Sequence, residues 1–168
     1  VKSPGEKTLA VIRESVDDVV LVSEEDIEQA IYLYLSIEKT VAEGAGAAAL
    51  AAVMAYPDRF RGRKVGVILS GANVDSRILA SVLMRHLART GRLVSLKVKS
   101  RDTPGALAEI TTLVGECGGN IIDVSHQRTF TEVGIREVEI ALTLESRDRA
   151  HTEEIQAVLV DAGYSVIF

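Results

Sequence analysis

The stretch Ser100–Ile122, SRDTPGALAEITTLVGECGGNII, decides how the second half of the chain folds, because it holds a turn, a helix and the start of a strand in succession. Pro104 has its φ fixed near the helical value and no N–H to lose, which predicts it at the first helical position. Asp102 or Thr103 is then placed to cap the free amides that open the helix. Leu107, Ile110, Leu113 and Val114 recur at three- and four-residue spacing and form one apolar stripe. Gly118 and Gly119 supply left-handed residues that end the helix, and Asn120 leads into the next strand. Gly105 is the residue that asks for a reason, since glycine in a first turn costs roughly 1 kcal/mol against alanine. Either its missing Cβ lets another chain or a small ligand come against the backbone, with helix-start N–H groups aimed at a carboxylate, or it loosens a turn.

Moving outward, Val94, Leu96 and Val98 alternate with Ser95, Lys97 and Lys99, the pattern of a half-exposed strand before the helix. After it, Ile121–Thr129 reads as a second strand, with Val133-Gly134 following a polar turn. Val138, Ile140, Leu142 and Leu144 alternate with Glu137, Glu139, Ala141 and Thr143 in a third. Asp148 caps a second helix carrying Ile155, Val158 and Leu159 and ended by Gly163. Tyr164–Phe168 is the last strand. The order β-α-β-β-α-β predicts a ferredoxin-like α+β sandwich over residues 93–168, two helices on a four-stranded antiparallel sheet.

Gly91 and Arg92 mark the boundary with residues 1–92, whose pattern differs. A Ser-Pro-Gly turn leads into an amphipathic segment with Leu9 and Ile12. Val19–Val22 and Val65–Leu69 are continuous aliphatic runs, expected as strands buried on both faces of a parallel sheet. Ser23 and Asp26 form a capping-box-like start to a helix carrying Ile27, Ala30, Ile31, Tyr34 and Leu35. Val41–Tyr56, VAEGAGAAALAAVMAY, is an interior helix behind a glycine-rich turn, and Glu43 stands at the mouth of that turn. Glu43 is either a first-turn acid favoured by the helix dipole or a cleft residue. Pro57–Lys64 is a solvated loop. The second aliphatic run enters Ser70-Gly71-Ala72-Asn73 and a helix over 75–90 with Ile78, Leu79, Val82, Leu83 and Leu87 on its buried face. A small-residue turn at the carboxyl end of a parallel strand is where α/β proteins place ligands. Two parallel strands cannot cover three or four helices, so residues 1–92 are expected to be the last portion of a larger α/β domain.

The totals narrow the function classes. The 168 residues are 47% apolar and only 4% aromatic, so the cores are aliphatic. Residues 1–92 hold 12 Lys+Arg and 12 Asp+Glu, whereas 93–168 hold 7 and 12 and carry the whole net charge of −5. With no basic stripe and no interleaved aromatics, nucleic acid is not expected as a partner. Cys117, the single cysteine, forms no internal disulfide and no metal cluster, and a cytoplasmic location is expected. The longest apolar run, Gly44–Tyr56, is too short to span a bilayer, so no membrane partner is expected. The chain begins at Val1 rather than methionine, and it is expected to be processed or a piece of something longer.

The second half resembles an ACT domain, an amino-acid-sensing module of metabolic enzymes, through D-T-P-G-A-L at 102–107, G-G-N-I at 118–121 and the βαββαβ order. The resemblance implies that Asp102, Thr103, Pro104, Gly105, Ala106 and Leu107 cradle a small effector. Asn120, Ile121 and Ile122 of the same or a neighbouring copy would line the site. The first half is similar to the carboxyl-terminal part of the catalytic domain of threonine dehydratases, pyridoxal-phosphate lyases of the tryptophan-synthase-β type (fold type II). That similarity rests on K-S-P-G-E at 2–6, D-D-V-V-L-V at 17–22, V-A-E-G-A-G-A-A-A-L at 41–50 and V-I-L-S-G-A-N-V-D at 67–75. It implies a cofactor-side role for Ser70, Gly71, Ala72 and Asn73, with Ser70 on the pyridine nitrogen and Glu43 nearby. The family's S-G-G-N is S-G-A-N here.

The family's S-F-K-x-R-G segment, which carries the Schiff-base lysine, and its tetraglycine phosphate loop are missing, and the six lysines stand in other contexts. No catalytic residue is therefore assigned, no pyridoxal phosphate is expected bound to this chain alone, and the chain alone is expected to be inactive. Two functions remain. One is the regulatory end of a threonine dehydratase, which deaminates threonine to 2-oxobutanoate, its ACT domain binding a branched-chain amino acid or threonine at an ACT–ACT interface of a homodimer or larger assembly. The other is a freestanding ACT dimerisation module without catalytic activity.

Overall fold

The computed structural model describes residues 5–127, 134 and 136–167. The expected turn at Ser3-Pro4, the end of the second strand at Arg128 and Thr129, Val133 and the terminal Phe168 lie outside the described residues. The chain divides into two compact units, residues 1–76 and 77–168.

The first unit is helical among its described residues. Helix α1 (Glu6–Ser15) buries none of its residues. Helix α2 (Glu24–Ser36) opens on a complete capping box: the Asp26 N–H donates to the Ser23 hydroxyl at 3.1 Å, and the Ser23 N–H donates to the Asp26 carboxylate at 3.0 Å. Its Ala30 and Ile31 are buried against helix α3 (Gly44–Ala55), which contributes Gly46, Ala47 and Ala51. Small residues let the two backbones approach, and the seam buries correspondingly little apolar area. A short helix α4 (Pro57–Phe60) stands where a plain loop was expected.

The two aliphatic runs differ from expectation. Val19–Val22 and Val65–Leu69 belong to no ladder, and Leu21 and Ile68 are more than 80% exposed. The reason is physical: a central parallel strand exists only between neighbours, and the described residues of this unit provide no strand to pair with. The first run is held at points, with Tyr56 donating its hydroxyl to the Leu21 carbonyl at 2.7 Å and Arg59 paired with Asp18. That guanidinium holds the Asp18 carboxyl below the usual carboxylate range.

The second unit begins at Arg77, with the helix that the sequence places before the boundary at Gly91, and from β1 onward follows the expected order. Helix α5 (Ser76–Arg89) buries Val82 and leaves Ile78 half-exposed. Then come β1 (Leu93–Arg101), helix α6 (Ala106–Glu116), β2 (Asn120–Gln127), β3 (Glu137–Glu145), helix α7 (Arg149–Asp161) and β4 (Ser165–Ile167). The sheet order is β2-β3-β1-β4 with every pair antiparallel, the topology of the ferredoxin-like sandwich. Alternation in β3 is strict: Val138, Ile140, Leu142 and Leu144 are buried, and with Leu96 and Val98 of β1 they meet Ile110 and Val114 of α6 and Ile155 and Leu159 of α7. Polar residues occupy the other face, where Lys97 pairs with Glu139 at 3.2 Å.

Three helices end alike. Gly91, Gly118 and Gly163 have φ of 71°, 83° and 93°, and the next residue's N–H reaches back to Leu87, Val114 and Leu159 respectively at 2.9–3.0 Å. This is the glycine-terminated Schellman arrangement. Gly119 is not left-handed; a Cβ there would stand 2.9 Å from both Ile155 Cδ1 and Val114 Cγ1, so its role is close packing. The start of α6 also departs from expectation. Pro104 precedes the helix, neither Asp102 nor Thr103 caps it, and the N-cap is Gly105 with φ 94°. A left-handed residue cannot propagate the helix, so the first helical residue moves to Ala106.

Candidate functional site

The turn 101–107 has a concavity on each side. The larger, about 800 Å³, is walled by Lys99, Arg101, Pro104, Gly105, Glu109 and Glu137 and by the α7–β4 turn at Ala162–Ser165. Tyr164 closes it; burial first, and its hydrogen bond to Glu109 second, push the Tyr164 phenol upward. The smaller, about 320 Å³, has Leu107 and Val138 as apolar walls and Asp102, Thr103 and His126 as polar ones. No side chain caps α6; the Ala106 N–H donates to the Thr103 carbonyl at 3.3 Å, and the next amides of the first turn have no capping side chain. A Cβ built on Gly105 would meet nothing within 4 Å. Glycine is needed there for its positive φ, and the space above it is open. Anionic and cationic groups with apolar walls around uncapped amides suit a small zwitterion.

The strand register separates the predicted site residues. Asp102, Thr103, Pro104, Gly105, Ala106 and Leu107 follow Arg101, which pairs with Glu137 at one end of the sheet. Asn120 pairs with Glu145 at the opposite end, its amide donating to the Glu145 carboxylate at 2.8 Å, and Ile121 pairs with Leu144. Ile122 sits in a register shift between Ile121 and Asp123 and is 51% exposed. About eight residues at about 3.3 Å each separate the two ends. Within one copy, therefore, Asn120, Ile121 and Ile122 do not join the turn. The residue of β2 that does is His126, opposite Ile140, which the sequence reading missed. Its signal was present: His126 is two positions beyond Val124 on the helix-facing side, near the strand end that antiparallel pairing returns to the turn.

The second predicted group lies in the first unit. Glu43 is the N-cap of α3, not a first-turn residue, and its side chain makes no capping bond. Its N–H donates to the Gly71 carbonyl at 3.2 Å. A Cβ on Gly46 would stand 2.8 Å from the Gly71 oxygen and closer still to that of Ser70, and one on Gly71 (φ 81°) would overlap the Glu43 carboxyl. Glycines thus seat the Ser70–Gly71 turn directly on the start of α3, bringing Ser70, Gly71 and Glu43 together. Ala72 and Asn73 continue along the exposed turn, where the Val74 N–H donates to the Ala72 carbonyl at 2.9 Å. The seat is built for a fixed loop presenting one hydroxyl, which fits one edge of a heteroaromatic cofactor; an enclosing wall would have to come from elsewhere. Among the described residues no cluster could hold a metal ion and no helix is long and apolar enough to cross a membrane.

Comparison with known proteins finds a separate family match in each half of the chain. Residues 1–71 match the family model of pyridoxal-phosphate dependent enzymes, and residues 94–166 match that of the ACT domain. An L-threonine ammonia-lyase of Thermotoga maritima is 41% identical over 166 residues, 99% of this chain and 41% of that protein. Another from Geobacter sulfurreducens is 39% identical over the same shares. The catabolic L-threonine dehydratase TdcB of Escherichia coli is 42% identical over 77 residues, 45% of this chain and 23% of its own. The chain spans about two-fifths of the length of the longer-matching relatives.

Proposed function

We propose, for a chain that belongs to the threonine ammonia-lyase family and joins part of a pyridoxal-phosphate enzyme domain to an ACT domain, that it is the regulatory segment of an enzyme deaminating L-threonine to 2-oxobutanoate and ammonia. The ACT domain, placed at 93–168 behind a catalytic portion at 1–92, binds a free amino acid at the turn 102–107. The observation that carries the reading is the uncapped, left-handed start of α6 at Gly105, open above its backbone and flanked by Asp102, His126 and Leu107. An α-carboxylate suits the helix-start amides, and Leu107 with Val138 suits an aliphatic side chain such as that of isoleucine, valine or threonine. Because the register keeps Asn120, Ile121 and Ile122 away from the turn of their own copy, they complete the site of a neighbouring one, and the effector sits at an ACT–ACT interface of a homodimer or larger assembly.

Pyridoxal phosphate, when bound to the whole enzyme, supplies an electron sink for charge at the substrate α-carbon. Ser70, Gly71, Ala72, Asn73 and Glu43 are the residues of this chain that would hold it, Ser70 by its hydroxyl and Glu43 by fixing the Gly71 carbonyl. The test of the regulatory reading is calorimetric titration of the 168-residue chain with L-isoleucine, L-valine and L-threonine. Saturable heat with at least one is expected, and its loss on substituting Gly105 by tryptophan. The absence of heat with all three would favour a dimerisation module without an effector.

A further inference from the structure

The end of the second unit farthest from the turn 102–107 holds the two buried polar side chains of the described core, His151 and Thr152, 3% and 4% exposed. They stand side by side in the first turn of α7, which Asp148 caps through the His151 N–H at 2.9 Å. The Arg147 N–H donates to His151 Nδ1 at 3.1 Å, so the neutral ring carries its proton on Nε2 and donates it to the Cys117 carbonyl at 2.8 Å. Cys117 is the C-cap of α6. His151 therefore ties the end of α6 to the start of α7. Thr152 donates to the Gly91 carbonyl at 3.1 Å, and Ser146, 2.9 Å from the Thr152 hydroxyl, donates to the same carbonyl. The Ser146 N–H also donates to the Arg92 carbonyl at 3.0 Å. Gly91 ends α5, and a Cβ there would lie 2.8 Å from Arg149 Cα, so the α5–β1 connection is seated flush on α7.

These contacts form a continuous chain: the turn at Gly105, helix α6 seated on its buried Ile110 and Val114, Cys117, His151, Thr152 with Ser146, Gly91, and then α5. We infer that this buried polar cluster couples effector binding at the start of α6 to α5, the segment through which the polypeptide enters the second unit. His151, Thr152 and Ser146 are its positioning residues. The inference rests on the reading of the 102–107 turn as an effector site and adds the route by which that site is felt elsewhere. A helix of eleven residues packed by Ile110 and Val114 moves as a rod, so a shift at its start reappears at Cys117. Two hydroxyls converging on one carbonyl then give the connection a position that follows α7.

The test is amide hydrogen exchange on the 168-residue chain with and without L-isoleucine, L-valine or L-threonine, beside calorimetric titration of the same samples. In the unaltered chain the binding amino acid is expected to slow exchange at residues 102–109 and to change it at residues 86–92 by about threefold or more. Combining Ser146→Ala with Thr152→Val should keep the binding heat and the protection at 102–109 while abolishing the change at 86–92. Thr152→Ser alone, which keeps the hydroxyl, should retain it. Should the double variant fail to fold, Ser146→Ala alone is expected to reduce the change. An undiminished change at 86–92 in the variants, or binding to the unaltered chain with none there, overturns the coupling and leaves the effector reading intact. No binding heat with any of the three amino acids overturns the effector reading, and the coupling falls with it.

Discussion

Gly105, Gly119 and Gly46 share a side chain of one hydrogen and differ in what a methyl would meet. At Gly105 the space is open and φ is 94°, so Gly105→Ala should destabilise the chain by about 1–2 kcal/mol through backbone strain alone. At Gly119 φ is ordinary but Ile155 and Val114 lie 2.9 Å from the added carbon, so Gly119→Ala should cost about 1–3 kcal/mol through overpacking. Urea unfolding followed by circular dichroism measures both. On amino-acid titration the Gly105 variant should lose affinity at the turn it reshapes, whereas Ser23→Ala, which removes the α2 cap at a cost of about 1 kcal/mol and touches neither the turn nor the start of β2, should keep it. Equal losses of affinity would mean that the turn is not the binding element. The sequence made Gly105 conspicuous by its place but not by its reason; a positive φ leaves no mark beyond the glycine itself, and Pro104 beside it argued for an earlier helix start.

Elements with local signatures were the legible ones. Strict alternation named every buried residue of β3, and a Ser-x-x-Asp spacing named the capping box of α2, because period and cap chemistry are properties of neighbours in sequence. Val19–Val22 and Val65–Leu69 were not legible in the same way: their aliphatic runs state what a strand would bury, while pairing depends on other strands. The capping box also makes a prediction about pH. The Ser23 hydroxyl and backbone N–H hold the Asp26 carboxyl below its ordinary value, so the folded form binds fewer protons than the unfolded one. The stability this contributes is complete above the ordinary carboxylate range, about pH 4, and is lost as pH falls through the lowered value. Asp26→Asn should therefore flatten the acid side of the stability–pH curve, read as unfolding midpoints from about pH 6 downward. An unchanged slope would show that the cap contributes nothing to folding. At α7 the comparable test is Asp148→Ala, expected to cost about 1 kcal/mol.

At the scale of the molecule the proposed site is split, and the split can be tested. Motifs in the sequence named both halves, 102–107 and 120–122, but only the sheet register shows them at opposite ends of one copy. Register is a long-range property that no local window contains. The regulatory reading accordingly requires two chains, each lending its β2 start to the other's turn, as a two-fold interface does. A chain with Gly105→Trp spoils the turn it owns, and a chain with Asn120→Ala spoils the strand it lends. Each variant alone should bind no amino acid. In a mixed dimer one site carries both defects, whereas the other combines an intact turn from the second chain with an intact strand from the first. Unfolding and refolding an equal mixture should restore binding to about one site for every four chains, the statistical share of a random pairing. If turn and strand served the same copy, every chain in the mixture would keep its own defect and the calorimeter would record no binding.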